Sequence, residues 1–412
     1  MKTFDIPVHY RSALVSLVKE WRNKAHARKD FTPTWLDFGP LQVGLPRHFG
    51  FCFGVERAVE RVYKALEEHP GQRLFLVSEM IHNPDVNAHL LDRGIRFLAS
   101  PSGERLFDWQ TLTPDDVVII PAFGATVEVM DELRALGVNL QEYDTTCPFV
   151  VKVWRRSAEL GGEQHTVVVH GKHEHEETRA TFSRQVGPSL IVRDLAETGF
   201  LVECILGNRS PEEFHAFFRG RYSSGFDPER DLSRIGVVNQ TTMLASETEE
   251  VARRIQQALA TRYGKDRLPH HFADTSDTLC YATNENQASA LALASACADA
   301  AFVVGGYNSS NTRQLVSIFR QHLPTYFIRN AGQFQPDGTV WHYDSQTKTE
   351  IADSLDYLKT SALQQPPVRV ILASGASCPD STLEEVLDWL VNYLGGITDY
   401  AAVLHRLQQP AA

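Results

Sequence analysis

The sequence has no closely spaced cysteines, no GxGxxG and no long apolar run. Its six cysteines, at positions 52, 147, 204, 280, 297 and 378, stand far apart. That excludes the CxxC signatures of zinc ribbons and thioredoxin-like redox sites. Without GxGxxG there is no dinucleotide fingerprint, so no tightly bound flavin or NAD(P) is expected. The longest apolar candidate, residues 291–304, carries Asp299 and falls short of the roughly 18 residues that cross a bilayer. Lys2 is followed by no apolar core of secretory type, so a cytoplasmic location without a cleaved signal is expected. Disulfides are a poor reading of cysteines in such a chain. Positive charge is also in short supply: 40 Lys and Arg face 51 Asp and Glu, a formal net charge of −11. This argues against binding to nucleic acid or an anionic membrane surface. It leaves room for an anionic substrate in a locally basic or dipolar pocket.

Most cysteines in such a chain are small buried apolar groups. Cys204 and Cys297 are read that way, Cys297 within a helical pattern over residues 287–298. Three others share a context. Cys52 stands in Gly50-Phe51-Cys52-Phe53-Gly54, Cys147 in Asp144-Thr145-Thr146-Cys147-Pro148, and Cys280 in Asp277-Thr278-Leu279-Cys280-Tyr281. Helical patterns follow over 55–67, 149–160 and 284–297. Each cysteine therefore sits at a helix start, where the dipole and free N–H groups favour a thiolate.

The segments after the three cysteines also repeat. Buried-type strands are expected at 74–77, 166–170 and 301–304, each running into a polar loop. His82, His175 and Ser309 mark those loops at offsets of 30, 28 and 29 residues from their cysteines. A further strand and small-residue loop come next: 117–120 before Pro121-Ala122-Phe123-Gly124-Ala125, 235–238 before Asn239-Gln240-Thr241-Thr242, and 368–372 before Ala373-Ser374-Gly375-Ala376-Ser377. The pattern is three units of helix–strand–helix–strand, an α/β protein with small parallel sheets. Ligands of such sheets bind beyond the carboxyl ends of the strands. Three such units facing one another would bring three cysteines and six loops to one point.

Three convergent thiolates imply a metal centre. Zinc usually takes a fourth protein ligand or a catalytic water. An iron–sulfur cubane normally takes four cysteines, so three would leave one iron without a protein ligand, able to act as a Lewis acid while the cluster passes electrons. The residues leave both metals open. The loops are rich in His82, His175, Thr241, Thr242, Ser309, Ser310, Asn311 and Ser377, a mixture suited to phosphate or diphosphate at helix starts. Singly, a Ser or Asn there is usually only an N-cap. Glu177 could be a proton donor, though a lone Glu at a helix start is more often a dipole partner.

At these residues the sequence resembles the 4-hydroxy-3-methylbut-2-enyl diphosphate reductases, which close the non-mevalonate isoprenoid pathway. The motifs are GFCFGVERAV, EMIHNP, DTTCP, HGKHEHEET, NQTTM, GGYNSSNT and SGASCPD, spread over about residues 49–394. PAFGA, HEET and an insert before NQTTM resemble the branch of cyanobacteria and plant plastids. The resemblance implies a trefoil of three pseudo-three-fold-related α/β units around one [4Fe–4S] cluster held by Cys52, Cys147 and Cys280. It implies diphosphate binding by His82, His175, Ser309, Asn311 and Ser377. Thr241 and Glu177 match the pair at the substrate hydroxyl, with His175-Glu176-Glu177 aligned to the family's His-x-Glu and His173 left as a neighbour. Phe123 stands where better-known bacterial members have histidine, so backbone N–H groups of Gly124 and Ala125 are expected to contribute.

The implied reaction is reductive removal of the substrate hydroxyl, with electrons from a ferredoxin or flavodoxin. A hydro-lyase using the cluster only as Lewis acid, or a non-enzymatic iron–sulfur carrier, are the rivals. The expected division is an N-terminal extension over 1–48, units over 49–146, 147–279 and 280–395, an insert at about 198–233 and a tail over 396–412. Residues 1–45 and the insert lie outside the resemblance to the bacterial core. Either could cover the outer surface or form an oligomer contact, and a homodimer is compatible with both.

Overall fold

The computed structural model describes residues 4–273 and 278–408, so Asp277 of the third cysteine motif lies outside the described residues. The chain divides into two compact units. One comprises residues 1–56, 82–86 and 281–412, the other 57–81 and 87–280. No helix among the described residues is long and apolar enough to cross a membrane.

The N-terminal segment is a built part of its unit. Helix Ala13–Ala25 is capped by Ser12, whose Oγ accepts from the Val15 amide at 2.9 Å, and it buries Leu14, Val15 and Val18. Strands β1 (Thr34–Asp37) and β2 (Leu41–Leu45) follow as an antiparallel hairpin.

Three parallel sheets then repeat one topology. β3 (Leu74–Leu76) lies between β4 (Arg96–Phe97) and β5 (Val117–Ile119). β6 (Thr166–His170) lies between β7 (Ser189–Val192) and β8 (Ile235–Asn239), with β9 (Phe272–Ala273) added beside β8. β10 (Ala300–Val304) lies between β11 (Thr325–Ile328) and, beyond the antiparallel hairpin of β12 (Thr339–Asp344) and β13 (Thr349–Ser354), β14 (Val368–Ser374). The N-terminal hairpin joins this last sheet, β2 pairing in parallel with β14.

Each repeat therefore runs first strand, second strand to one side, third strand to the other. The sequence pattern had two strands per repeat; β4, β7 and β11 are the ones it lacked. β4 is only two residues long and half exposed, so it carries no apolar run. The switch in direction lies between the first and third strands, which places a ligand crevice at the carboxyl ends of those two. Those are the strands whose loops carry the polar motifs. The first and third strands of each repeat are buried along nearly their whole length, as expected of parallel sheets covered on both faces.

The insert forms helices Leu195–Ile205, Pro211–Phe217 and Pro228–Asp231 between β7 and β8. Phe214 and Phe218 are fully buried there, in one core with Leu190, Val237 and Ile255. Ser210 and Glu213 form a capping box. Helix Tyr400–Gln408 is also part of a core, through Val403. Cys204 is buried as expected, but Cys297 is exposed: helix Tyr281–Ala294 stops short of it.

Candidate active site

Within the unit of residues 57–81 and 87–280, two of the cysteines stand close enough to sense each other. Cys147 is the N-cap of helix Pro148–Gly162, and its own amide donates to the Ala122 carbonyl at 2.9 Å. Its sulfur receives the amides of Phe149 and Val150, while burial, helped by the negative potential of Cys280 and Glu177, pushes the thiol up to about 11. A thiolate there needs a cation beside it. Arg57, on the helix that follows Cys52, donates to the Thr146 carbonyl at 2.9 Å and fixes the approach to Cys147. Cys280 is buried, and Thr278 beside it donates to Asn239 Oδ1 at 2.9 Å, tying this loop to the end of β8.

The same unit brings Glu177 and Thr241 together. Glu177 is 1% exposed, near the start of helix Glu176–Phe182. Its Oε1 accepts from the Thr241 amide at 2.6 Å and its Oε2 from the Thr241 hydroxyl at 2.8 Å. Glu176 instead accepts from the Ser78 hydroxyl. The two adjacent acids thus have different partners. His173 is away from this arrangement, half exposed and 3.2 Å from Glu174.

His175 caps the helix, its Nδ1 accepting from the Glu177 amide at 3.2 Å. In the neutral ring the proton then sits on Nε2, which makes that edge a donor. Phe123 packs against this ring edge to face, with centroids 5.5 Å apart. Phe123 thus braces His175, a contact its sequence position did not signal.

The expectation for Gly124 needs correction. Its amide donates to the Pro121 carbonyl at 2.9 Å, so it is committed to the turn. Its φ of +78°, and Trp154 carbons 2.5 Å from any added Cβ, explain the glycine instead. The Ala125 amide has no such partner among the described residues.

Within the other unit, Cys52 is partly exposed, directly before helix Phe53–Glu68, and its amide donates to the Ala376 carbonyl at 3.2 Å. His82 is buried, and its carbonyl accepts from the Ser377 hydroxyl at 3.2 Å. Asn83, which sequence reasoning passed over, donates to the Ser377 carbonyl at 2.9 Å and caps the next turn through the Asp85 and Val86 amides. Asn311 is 3% exposed; its Oδ1 accepts from the Ala376 amide at 2.8 Å while its Nδ2 has no partner among the described residues. Ser309 is also buried and caps helix Ser310–Arg320 through Thr312, which leaves its hydroxyl proton available. Ser309 and Asn311 therefore follow β10 and Ser377 follows β14, while His82, on the 82–86 segment of the same unit, is tied to Ser377.

The family model described as LytB protein matches residues 43–391. The chain belongs to the LytB family. A 4-hydroxy-3-methylbut-2-enyl diphosphate reductase of Synechococcus sp. (strain CC9605) is 40% identical over 86% of each chain. That of Thermosynechococcus vestitus is 39% identical over 85% of this chain and 84% of its own. A solved structure described as that reductase, the terminal enzyme of the non-mevalonate pathway, has 26% identity and a TM-score of 0.50 over 84% of this chain and 98% of its own. The Plasmodium falciparum E-1-hydroxy-2-methyl-but-2-enyl-4-diphosphate reductase, at 20% identity, shares the fold with a TM-score of 0.61 over 86% of this chain and 90% of its own.

Membership of the LytB family implies an iron–sulfur centre, and the donors of this chain suit one. Cys52, Cys147 and Cys280 stand outside any disulfide, directly before helices, and two amides aim at the Cys147 sulfur. Among the described residues no three His, Cys, Asp or Glu side chains gather closely enough for a single metal ion. A cubane asks for less proximity, because its cysteines bind different irons.

Proposed function

We propose that this protein is a 4-hydroxy-3-methylbut-2-enyl diphosphate reductase. Substrate, two electrons and two protons would give isopentenyl or dimethylallyl diphosphate and water. Cys52, Cys147 and Cys280 are proposed as ligands of one [4Fe–4S] cluster, supported by their shared position in three repeats. When bound, that cluster supplies electrons one at a time and an iron without a protein ligand.

The observation that carries the reading is the Glu177–Thr241 pair. A hydroxyl that shares its proton with a buried carboxylate can pass it to a third oxygen and be recharged from behind. Delivered to the allylic C4 hydroxyl, that proton lets oxygen leave as water. His175 Nε2, Asn311 Nδ2, the Ser309 hydroxyl, the Ser377 hydroxyl once it rotates from the His82 carbonyl, His82 and the Ala125 amide are the proposed diphosphate donors. Neutral donors hold a diphosphate without charging the site. Electrons would come from a ferredoxin or flavodoxin in the cytoplasm.

Anaerobic protein with a chemical reductant should consume the substrate and release both products. Turnover without any reductant would instead favour a hydro-lyase, and no turnover with an intact cluster would favour a carrier.

A further inference from the structure

A cavity of about 360 Å³ opens within the unit that contains the N-terminal segment. Its wall includes Lys19, Asn23, Arg28, Arg47, Glu285 and Asn286, with Cys52 at one side. His82, Ser309, Asn311 and Ser377 do not line it.

Its wall holds buried N–H donors without acceptors. Arg47 is 6% exposed; Nη2 donates to Asn23 Oδ1 at 2.9 Å and Nε has no partner among the described residues. Arg22 is 2% exposed, donates to Thr34 Oγ1 and the Thr32 carbonyl, and its Nε also has no partner among the described residues. Neither arginine has a carboxylate within ion-pair distance among the described residues, and Asp30 attracts both of them, and Glu285 Arg47, only from further off. The neighbouring cations are already matched: Arg28 with Glu285 and Lys19 with Asp380, each at 2.8 Å. Glu56 is also in the wall, and burial raises it above the usual carboxylate range. Burial and the charge of Arg47 lower Arg22 to about 10, with Asp30 offsetting part of this. Buried guanidinium N–H groups are costly when they have no acceptor. Asn286, 6% exposed, adds a second donor, Nδ2, without a partner among the described residues.

We propose that this cavity is a second anion site, taking a phosphate-class oxyanion, free or carried on a small metabolite, held by the Arg47 guanidinium and the Asn286 amide. The planar guanidinium offers the forked N–H geometry that such oxyanions match. The site is independent of the diphosphate loops and gives the N-terminal segment a role, since Lys19, Asn23 and Arg28 build one wall.

The test is calorimetric titration of inorganic phosphate into anaerobic holoenzyme. Parent protein and His175→Ala should both bind it saturably. Arg47→Met should weaken binding about tenfold or more. Asn286→Asp, which replaces a donor of the wall by a carboxylate, should fold normally, melt higher without phosphate and lose the phosphate response. That second variant decides the matter where Arg47→Met does not fold. Glycerol phosphate separates the sources: tighter binding than inorganic phosphate marks a metabolite, equal or weaker binding a free ion. The proposal is overturned by no saturable phosphate binding to the parent. It is equally overturned by binding that disappears in His175→Ala yet survives in Arg47→Met or Asn286→Asp.

Discussion

Thr241 engages both oxygens of Glu177, its amide 2.6 Å from Oε1 and its hydroxyl 2.8 Å from Oε2. The carboxylate is thereby fixed in plane, and the hydroxyl is the one route by which Thr241 can exchange a proton with it. Glu177→Gln retains the shape and can still accept from the Thr241 amide, but it cannot relay a proton. Turnover should fall by about 10² or more, with iron content and substrate affinity near the parent's. Steady-state rates with a chemical reductant check this without involving a protein donor. A rate within about threefold of the parent would make Glu177 a structural cap.

Phe123 should act through His175. Its ring holds the imidazole edge to face at 5.5 Å, an interaction of about 0.5–1.5 kcal/mol. Phe123→Ala should therefore raise KM by roughly threefold to tenfold while kcat changes little. Phe123→His, which restores a ring and adds a donor, should keep or lower KM. Identical KM values in all three proteins would mean that His175 is held by its helix-cap bond alone.

Much of this arrangement was legible in the sequence because the site is built at repeated strand ends. The helix starts at Cys52, Cys147 and Cys280, and β6 and β10, fall where periodicity and motif spacing put them. What was not legible depends on tertiary packing. β4 is too short and too exposed to show a period. The Phe123 contact joins residues 52 positions apart. Gly124 looked like an anion-binding amide, but its own turn consumes that N–H. The unmet Nε groups of Arg22 and Arg47 depend on tertiary packing that no local sequence pattern carries.

The three motif cysteines should be separable from the others by metal content. Anaerobically prepared protein should hold about four irons and four sulfides per chain. Ser at position 52, 147 or 280 should abolish or sharply reduce that content. Cys297→Ser, at an exposed loop position, and Cys204→Ser, in the apolar core of the insert, should leave it unchanged. Colourless protein with one stoichiometric zinc would defeat the cluster assignment.

His170 sets an acid limit on stability. It ends β6, fully buried, with Nδ1 2.8 Å from the Thr248 hydroxyl. Burial, only partly offset by Asp194 and the Arg193 backbone, lowers it from 6.5 to about 4. Below pH 6.5 the unfolded chain takes up a proton that the folded chain refuses, so stability falls as pH drops toward 4. The loss from this one group reaches about 3 kcal/mol at most. His170→Gln can still hydrogen-bond Thr248 but does not titrate, so its melting temperature should decline less between pH 6.5 and 4.5. Some decline should remain, because burial also lowers His48 and His165. Glu250, held at about 2 by Arg253 and Arg254, gives up its contribution mainly below this window. Melting curves of holoprotein and variant at pH 7.5, 6.0 and 5.0 measure the difference. Parallel declines would show that His170 is not the group whose buried neutrality limits the fold in acid.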